Sequence, residues 1–138
     1  MWTDDQAWVL VLMAEPSPRR RFLIVDDSDD IRWVLVRLVQ RGVPHARVQD
    51  APDASAALDA LHDAGDGDGL TVISDYDMGL GATGVELLAE VARRHPRAKR
   101  VLFTGHALSD IGPVASQPDH VLSKDGGLLV LRKFLAEA

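Results

Sequence analysis

Asp26, Asp27, Asp75, Thr104 and Lys124 are the residues whose types and spacing could do chemistry together. Each follows directly on an apolar run. Phe22-Leu23-Ile24-Val25 precedes the two acids, Leu70-Thr71-Val72-Ile73-Ser74 precedes Asp75, Val101-Leu102-Phe103 precedes Thr104, and Val121-Leu122-Ser123 precedes Lys124. A buried strand that ends in paired acids is electrostatically costly. At ~4 Å and an effective dielectric near 20, two like charges repel by about 4 kcal/mol. A positive group is therefore expected beside them. The plainer alternative, one Asp capping the next helix and the other solvated, accounts for the pair but not for the whole set. Three carboxylates form a hard-oxygen site suited to Mg2+. A carboxylate can also attack phosphorus and form an aspartyl phosphate. Phosphoryl transfer needs positioning and positive charge around the phosphoryl oxygens. Mg2+ and Lys124 can supply the charge, and the Thr104 hydroxyl can donate a hydrogen bond.

These residues can meet only if their strands lie side by side and parallel, so the intervening segments must be crossovers. Ser28-Asp29-Asp30 offers N-cap chemistry, and Ile31, Val34, Leu35 and Leu38 fall at i, i+3, i+4 and i+7, which predicts an amphipathic helix stopped at Gly42. A short strand is expected within Pro44–Gln49, and a second helix from Pro52 to about Ala64. The Gly65–Gly69 stretch reads as a loop. The third apolar run is followed by a glycine-rich, mobile loop over Gly79–Gly84 and a helix over Val85–Arg94, which Pro96 ends. The stretch Ala107–Pro118 is poor helix material because Gly112 and Pro113 interrupt it, and Leu128–Ala136 reads as a last amphipathic helix. Strand and helix alternate about five times, the pattern of a doubly wound parallel α/β sheet. In such a sheet ligands bind beyond the carboxyl ends of the strands.

With 138 residues the chain suits one domain and is too short for two. Its 46% hydrophobic and 26% charged residues are those of an ordinary globular protein. A net charge of -6 argues against direct nucleic-acid binding as the main task. The absence of cysteine excludes disulfides, thiolate metal sites and a Cys nucleophile, and fits a cytoplasmic location. Residues 1–20 read as an N-terminal extension. Its apolar run, Ala7–Ala14, is eight residues long against the ~20 needed to span a bilayer. Arg19, Arg20 and Arg21 follow that run rather than precede it, so they do not make it a secretory signal; they read as a solvated entry to the first strand.

From residue 21 to the C-terminus the sequence resembles the receiver domain of two-component response regulators, of the chemotaxis-regulator type. The motifs are Phe22-Leu-Ile-Val-Asp-Asp27, Val72-Ile-Ser-Asp75-Tyr-Asp-Met78, Val101-Leu-Phe-Thr104-Gly and Val121-Leu-Ser-Lys124. The resemblance implies a flavodoxin-like fold: a five-stranded parallel sheet in the order 2-1-3-4-5, with five helices on both faces. It makes Asp75 the phosphoacceptor, gives Mg2+ to Asp26, Asp27, Asp75 and the backbone carbonyl of Asp77, and sets Thr104 and Lys124 beside the phosphoryl group. Gly105 fits the small residue that leaves the phosphate reachable. The implied partners are a histidine kinase or histidine phosphotransfer protein and a downstream protein. The implied role is a phosphoacceptor signalling domain rather than an enzyme, with slow self-dephosphorylation at most. With 14 residues after Lys124, the expectation is a stand-alone receiver or a fragment of a longer protein.

Several positions depart from the family pattern. Gly79 stands where a Pro is usual, Asp125 replaces the Pro after the Lys, and Val121 replaces the aromatic residue three before it. The loop Leu80–Gly84 is one residue longer than usual. Any signal is therefore expected to leave through that loop or through the segment Ala107–Pro118. By the resemblance, Asp77 and His106 occupy the positions that flank the attacking water in the family; the plainer reading of each is a solvated loop residue. Trp33 and Val36 lie off the apolar stripe of the first helix and read as ordinary surface packing or, more sharply, as a docking face for a kinase or phosphotransfer domain, while His45, His62, His95 and His120 read as surface residues. Two other functions fit the same residues. One is a degenerate receiver that acts as an interaction module. The other is a haloacid-dehalogenase-type phosphatase with Asp75-Tyr76-Asp77 as its Asp-x-Asp motif, although that family places its nucleophile on the first strand.

Overall fold

The computed structural model describes residues 20–79, 81–105 and 118–137. Five strands form one parallel sheet: β1 (Arg21–Val25), β2 (Arg47–Ala51), β3 (Leu70–Ser74), β4 (Lys99–Thr104) and β5 (His120–Ser123). Their spatial order is 2-1-3-4-5, as expected. β3 is central and buried throughout, its Leu70, Val72 and Ile73 interleaved with the buried hydroxyls of Thr71 and Ser74. β2 and β5 are the edges and carry the exposed polar residues. Four α-helices are described: α1 (Asp29–Gly42), α2 (Ala54–Ala60), α3 (Gly84–Arg94) and α4 (Leu128–Glu137).

The period-2 alternation of β1 divides the core. Phe22 and Ile24 face α1 and α4, where Leu35, Val39, Leu131 and Phe134 complete one cluster. Leu23 and Val25 face the other side, packing with Ala57, Leu61, Leu88 and Val91 from α2, α3 and their flanks. Helices thus cover both faces of the sheet. No helix among the described residues is long and apolar enough to cross a membrane.

The structure corrects several local expectations. The buried positions of α1 are Leu35 and Val39, with Leu38 and Val36 partly buried, whereas Ile31 and Val34 are exposed. The apolar stripe is wider than the face the sheet can cover, so its N-terminal end is left in solvent. β2 begins at Arg47 rather than Pro44, because its backbone must pair with β1 in the register Arg21↔Arg47. α2 ends at Ala60, not Ala64; the chain turns at Leu61, where the tight packing of that side chain draws it into the core. Arg21 is not a solvated entry. Its guanidinium bonds Gln49, Asp63 and the carbonyl of Ala60. His95 is buried, with Nδ1 2.6 Å from the Gly65 carbonyl oxygen, and so ties α3 to the loop before β3. The expectations for residues 1–19, Leu80, His106 and 107–117 fall outside the described residues.

Candidate functional site: an acidic pocket at the carboxyl edge of the sheet

Strand register alone brings the key carboxylates together. β1 and β3 are neighbours, with Val25 opposite Ser74, so the next residues, Asp26 and Asp75, leave the sheet side by side. This is the point at which strand order reverses, where parallel sheets bind ligands. On the other flank, Thr104 stands opposite Ser123, and Lys124 follows as the first residue of a 3-10 turn, Lys124–Gly126.

Lys124 crosses two strand ends to reach the acids. Its Nζ lies 3.0 Å from Asp75 Oδ1 and 3.5 Å from Asp26 Oδ2. Asp26 is buried, Asp75 half-buried and Asp27 exposed, and one oxygen of each lies within 4.8 Å of the others. The positive group anticipated beside the acids is thus Lys124, one cation against three carboxylates. Burial pushes the Asp75 carboxyl above its ordinary range. Lys124 opposes that shift, Asp26 reinforces it, and the Tyr76 amide opposes it.

The two Asp75 oxygens differ. Oδ1 accepts from Lys124 and from the Tyr76 amide at 2.9 Å, whereas Oδ2 has no hydrogen-bond partner among the described residues. The loop after Asp75 is closed tightly. Gly84 N donates to the Tyr76 carbonyl at 2.8 Å, and Thr83 and Glu86 form a reciprocal capping box at the start of α3. A Cβ at position 84 would sit 1.9 Å from the Asp75 carbonyl oxygen, so only glycine fits. Gly79 takes φ +76°, a backbone conformation closed to proline, and its amide donates to Asp77 Oδ1 at 3.2 Å. Asp77 itself is exposed. Thr104 is buried at the end of β4.

Two contributors escaped the sequence reading. Arg32 donates from Nη1 to the Asp26 carbonyl at 2.7 Å and from Nε to Asp50 at 2.9 Å, and it also pairs with Asp29. It clamps the turn that presents Asp26 and Asp27. The Asp29–Arg32 spacing on a helix was the available signal. The second is Asp125. Its amide donates to Ser123 Oγ at 3.1 Å and caps the turn that starts at Lys124. Proline could not make that bond, so the departure at 125 carries its own means of holding the lysine.

Comparison with solved structures places this architecture among receiver domains. TrrA, a response regulator of Thermotoga maritima solved with Mg2+-BeF, superposes with a TM-score of 0.71 at 24% identity, over 86% of this chain and 97% of that one. A receiver domain protein from Clostridium thermocellum gives 0.71 at 20% identity, over 86% and 92%. TrrA in complex with the Thermotoga histidine kinase ThkA gives 0.66 at 23% identity, over 86% and 97%. No family model matches the sequence, and no curated protein matches it. The fold is therefore that of response-regulator receivers.

Proposed function

We propose that the chain is a receiver module that accepts a phosphoryl group on Asp75 from a phosphohistidine partner in a Mg2+-dependent reaction. The observation that carries this reading is the Lys124 ammonium, held between Asp75 and Asp26 at the switch point of the sheet. The donor set fits the ion: three convergent carboxylates, one of them exposed to solvent, suit a small hard cation that retains several waters. Asp26, Asp27, Asp75 and the backbone carbonyl of Asp77 would hold it. The bound cation supplies positive charge opposite the phosphoryl oxygens and weakens the repulsion among the acids.

The chain's own residues do the remaining work. Lys124 and the Tyr76 amide fix Asp75 Oδ1, which leaves Oδ2 to attack phosphorus. The P–N bond to the partner's imidazole breaks as the O–P bond forms, and the imidazole leaves and takes up a proton. Lys124 then neutralises a phosphoryl oxygen, and Thr104 donates its hydroxyl to another. Gly84, lacking a side chain, lets the start of α3 close against the Asp75 carbonyl, and its amide bond to the Tyr76 carbonyl ties the two segments together. The kinase complex of the structurally similar TrrA is consistent with a histidine kinase as donor.

Intact mass spectrometry after incubation with acetyl phosphate tests the proposal. One added phosphoryl group is expected with Mg2+ and none with chelator, and Asp75→Asn should abolish it. An interaction-only receiver would remain unlabelled. Sustained turnover of a generic phosphate ester would instead indicate a phosphatase.

A further inference from the structure

Asp27 is the exposed member of the acidic trio, and its carboxylate makes no hydrogen bond or ion pair among the described residues. Its place beside Asp26 and Asp75 is therefore set by its backbone. The carbonyls on both sides of it are held by one residue. Arg32 donates from its backbone amide to the Ser28 carbonyl at 3.0 Å and from Nη1 to the Asp26 carbonyl at 2.7 Å. The first is the ordinary opening bond of α1. The second reaches back across the N-cap and closes the Asp26–Ser28 turn from outside the helix.

The guanidinium is itself anchored. Its Nε donates to Asp50 Oδ2 at 2.9 Å, and it also pairs with Asp29. The Arg32 side chain is only 12% exposed, whereas Asp29 stands almost wholly in solvent, so Asp50 is the firmer of the two anchors. Asp50 lies on β2, one residue before Ala51, and the Ala51 carbonyl accepts from the Asp26 amide at 3.2 Å. The end of β2 thus grips Asp26 twice: directly at its amide, and through Arg32 at its carbonyl. β2 gives no carboxylate to the pocket, yet it fixes the turn that presents two of them.

We propose that Arg32, anchored by Asp50, is a positioning residue for the cation site: it holds the Asp26–Ser28 turn so that the Asp27 carboxylate stays grouped with those of Asp26 and Asp75. The inference rests on the reading of this pocket as a Mg2+ site. Two plainer roles predict different outcomes. A guanidinium that acted only as a nearby charge would oppose an incoming cation, so its loss would tighten binding. One that acted only as a prop for the fold would leave the affinity of the folded chain unchanged.

Titration calorimetry of the full chain with Mg2+, at a temperature where circular dichroism shows each variant folded, separates the three. Arg32→Gln should weaken Mg2+ binding by about tenfold, as loss of a group that orients metal ligands does. Arg32→Lys keeps the charge but not the planar fork, and should lose most of the same affinity. Asp50→Asn is the milder lesion at a half-exposed site. It should weaken binding several-fold, and the loss should persist in high salt, where through-space charge effects fade. Combined with Arg32→Gln it should add little, because the two residues act as one device. Unchanged or tighter binding in either Arg32 variant would overturn the proposal, even if its urea midpoint in chelator were lowered. So would an Asp50→Asn loss that disappears in high salt. A parent chain that binds no Mg2+ would overturn the reading of the pocket and this inference with it, whereas a parent that binds and variants that match it would overturn the positioning role alone.

Discussion

The two edges of the sheet treat charge in opposite ways. At the amino edge, carboxylates meet arginines in near balance. Asp63 is held by Arg21 and Arg47, Asp66 and Asp68 by Arg97, and Asp119 by Arg100. At the carboxyl edge, three carboxylates share Lys124, and the neighbouring guanidinium of Arg32 is aimed at the Asp26 carbonyl, Asp29 and Asp50 rather than at the three acids. Both edges belong to the same strands and differ by only a few residues along the chain. An edge built for stability alone would look like the first. The imbalance at the second is what an added cation would relieve, and it is the ground for proposing that edge as the working site.

This contrast can be broken most sharply at its one shared cation. Lys124→Met should destabilise the fold by about 2 kcal/mol in urea titrations, because it leaves Asp26 and Asp75 uncompensated beside each other. Addition of Mg2+ should work in the opposite direction. At ten times its Kd it should raise stability by about 1.4 kcal/mol, and calorimetry with and without chelator measures this. A Tm indifferent to Mg2+ would count against a functional acidic pocket.

A pH series sharpens the point. Burial raises the folded-state pKa of Asp75 above its unfolded value, so the folded chain holds that proton more tightly. The stability tied to this proton is present below the unfolded pKa and is lost as pH rises through the folded one. Asp75→Asn has no such loss. Its Tm should exceed that of the parent at neutral pH, and the difference should narrow toward about pH 4. The smallest effect belongs to the amino edge. Asp63 titrates below its ordinary range, chiefly because it accepts a hydrogen bond from Arg21, yet it is solvent-exposed. Asp63→Asn should lower Tm only slightly, and the difference should fade at high salt. A large, salt-insensitive loss there would erase the contrast between the edges.

Much of the architecture was legible in the residues. The apolar runs gave the strands, and because each ended in a polar residue of matching chemistry, the convergence of Asp26, Asp75 and Lys124 followed once the strands were taken as parallel. Less visible were features set by backbone geometry. That Gly84 must lack a side chain depends on the approach of the Asp75 carbonyl, which no local pattern encodes. The capping bond of Asp125 to Ser123 replaces an expected proline through hydrogen bonding rather than ring stiffness. The stripe on α1 gave the correct helix but misplaced its buried face, because periodicity shows which residues are apolar and not how far the sheet extends to cover them. His95 was equally hidden, since its partner is a backbone carbonyl 30 residues away.

The central claim is that Asp75, and neither of its acidic neighbours, is the nucleophile. Borohydride reduction of the chain after reaction with acetyl phosphate and Mg2+, followed by peptide mapping, reads this directly. An acyl phosphate is reduced at the carbon that bore it, so the account predicts homoserine at position 75. Homoserine at position 26 or 27, or at no position, would contradict it.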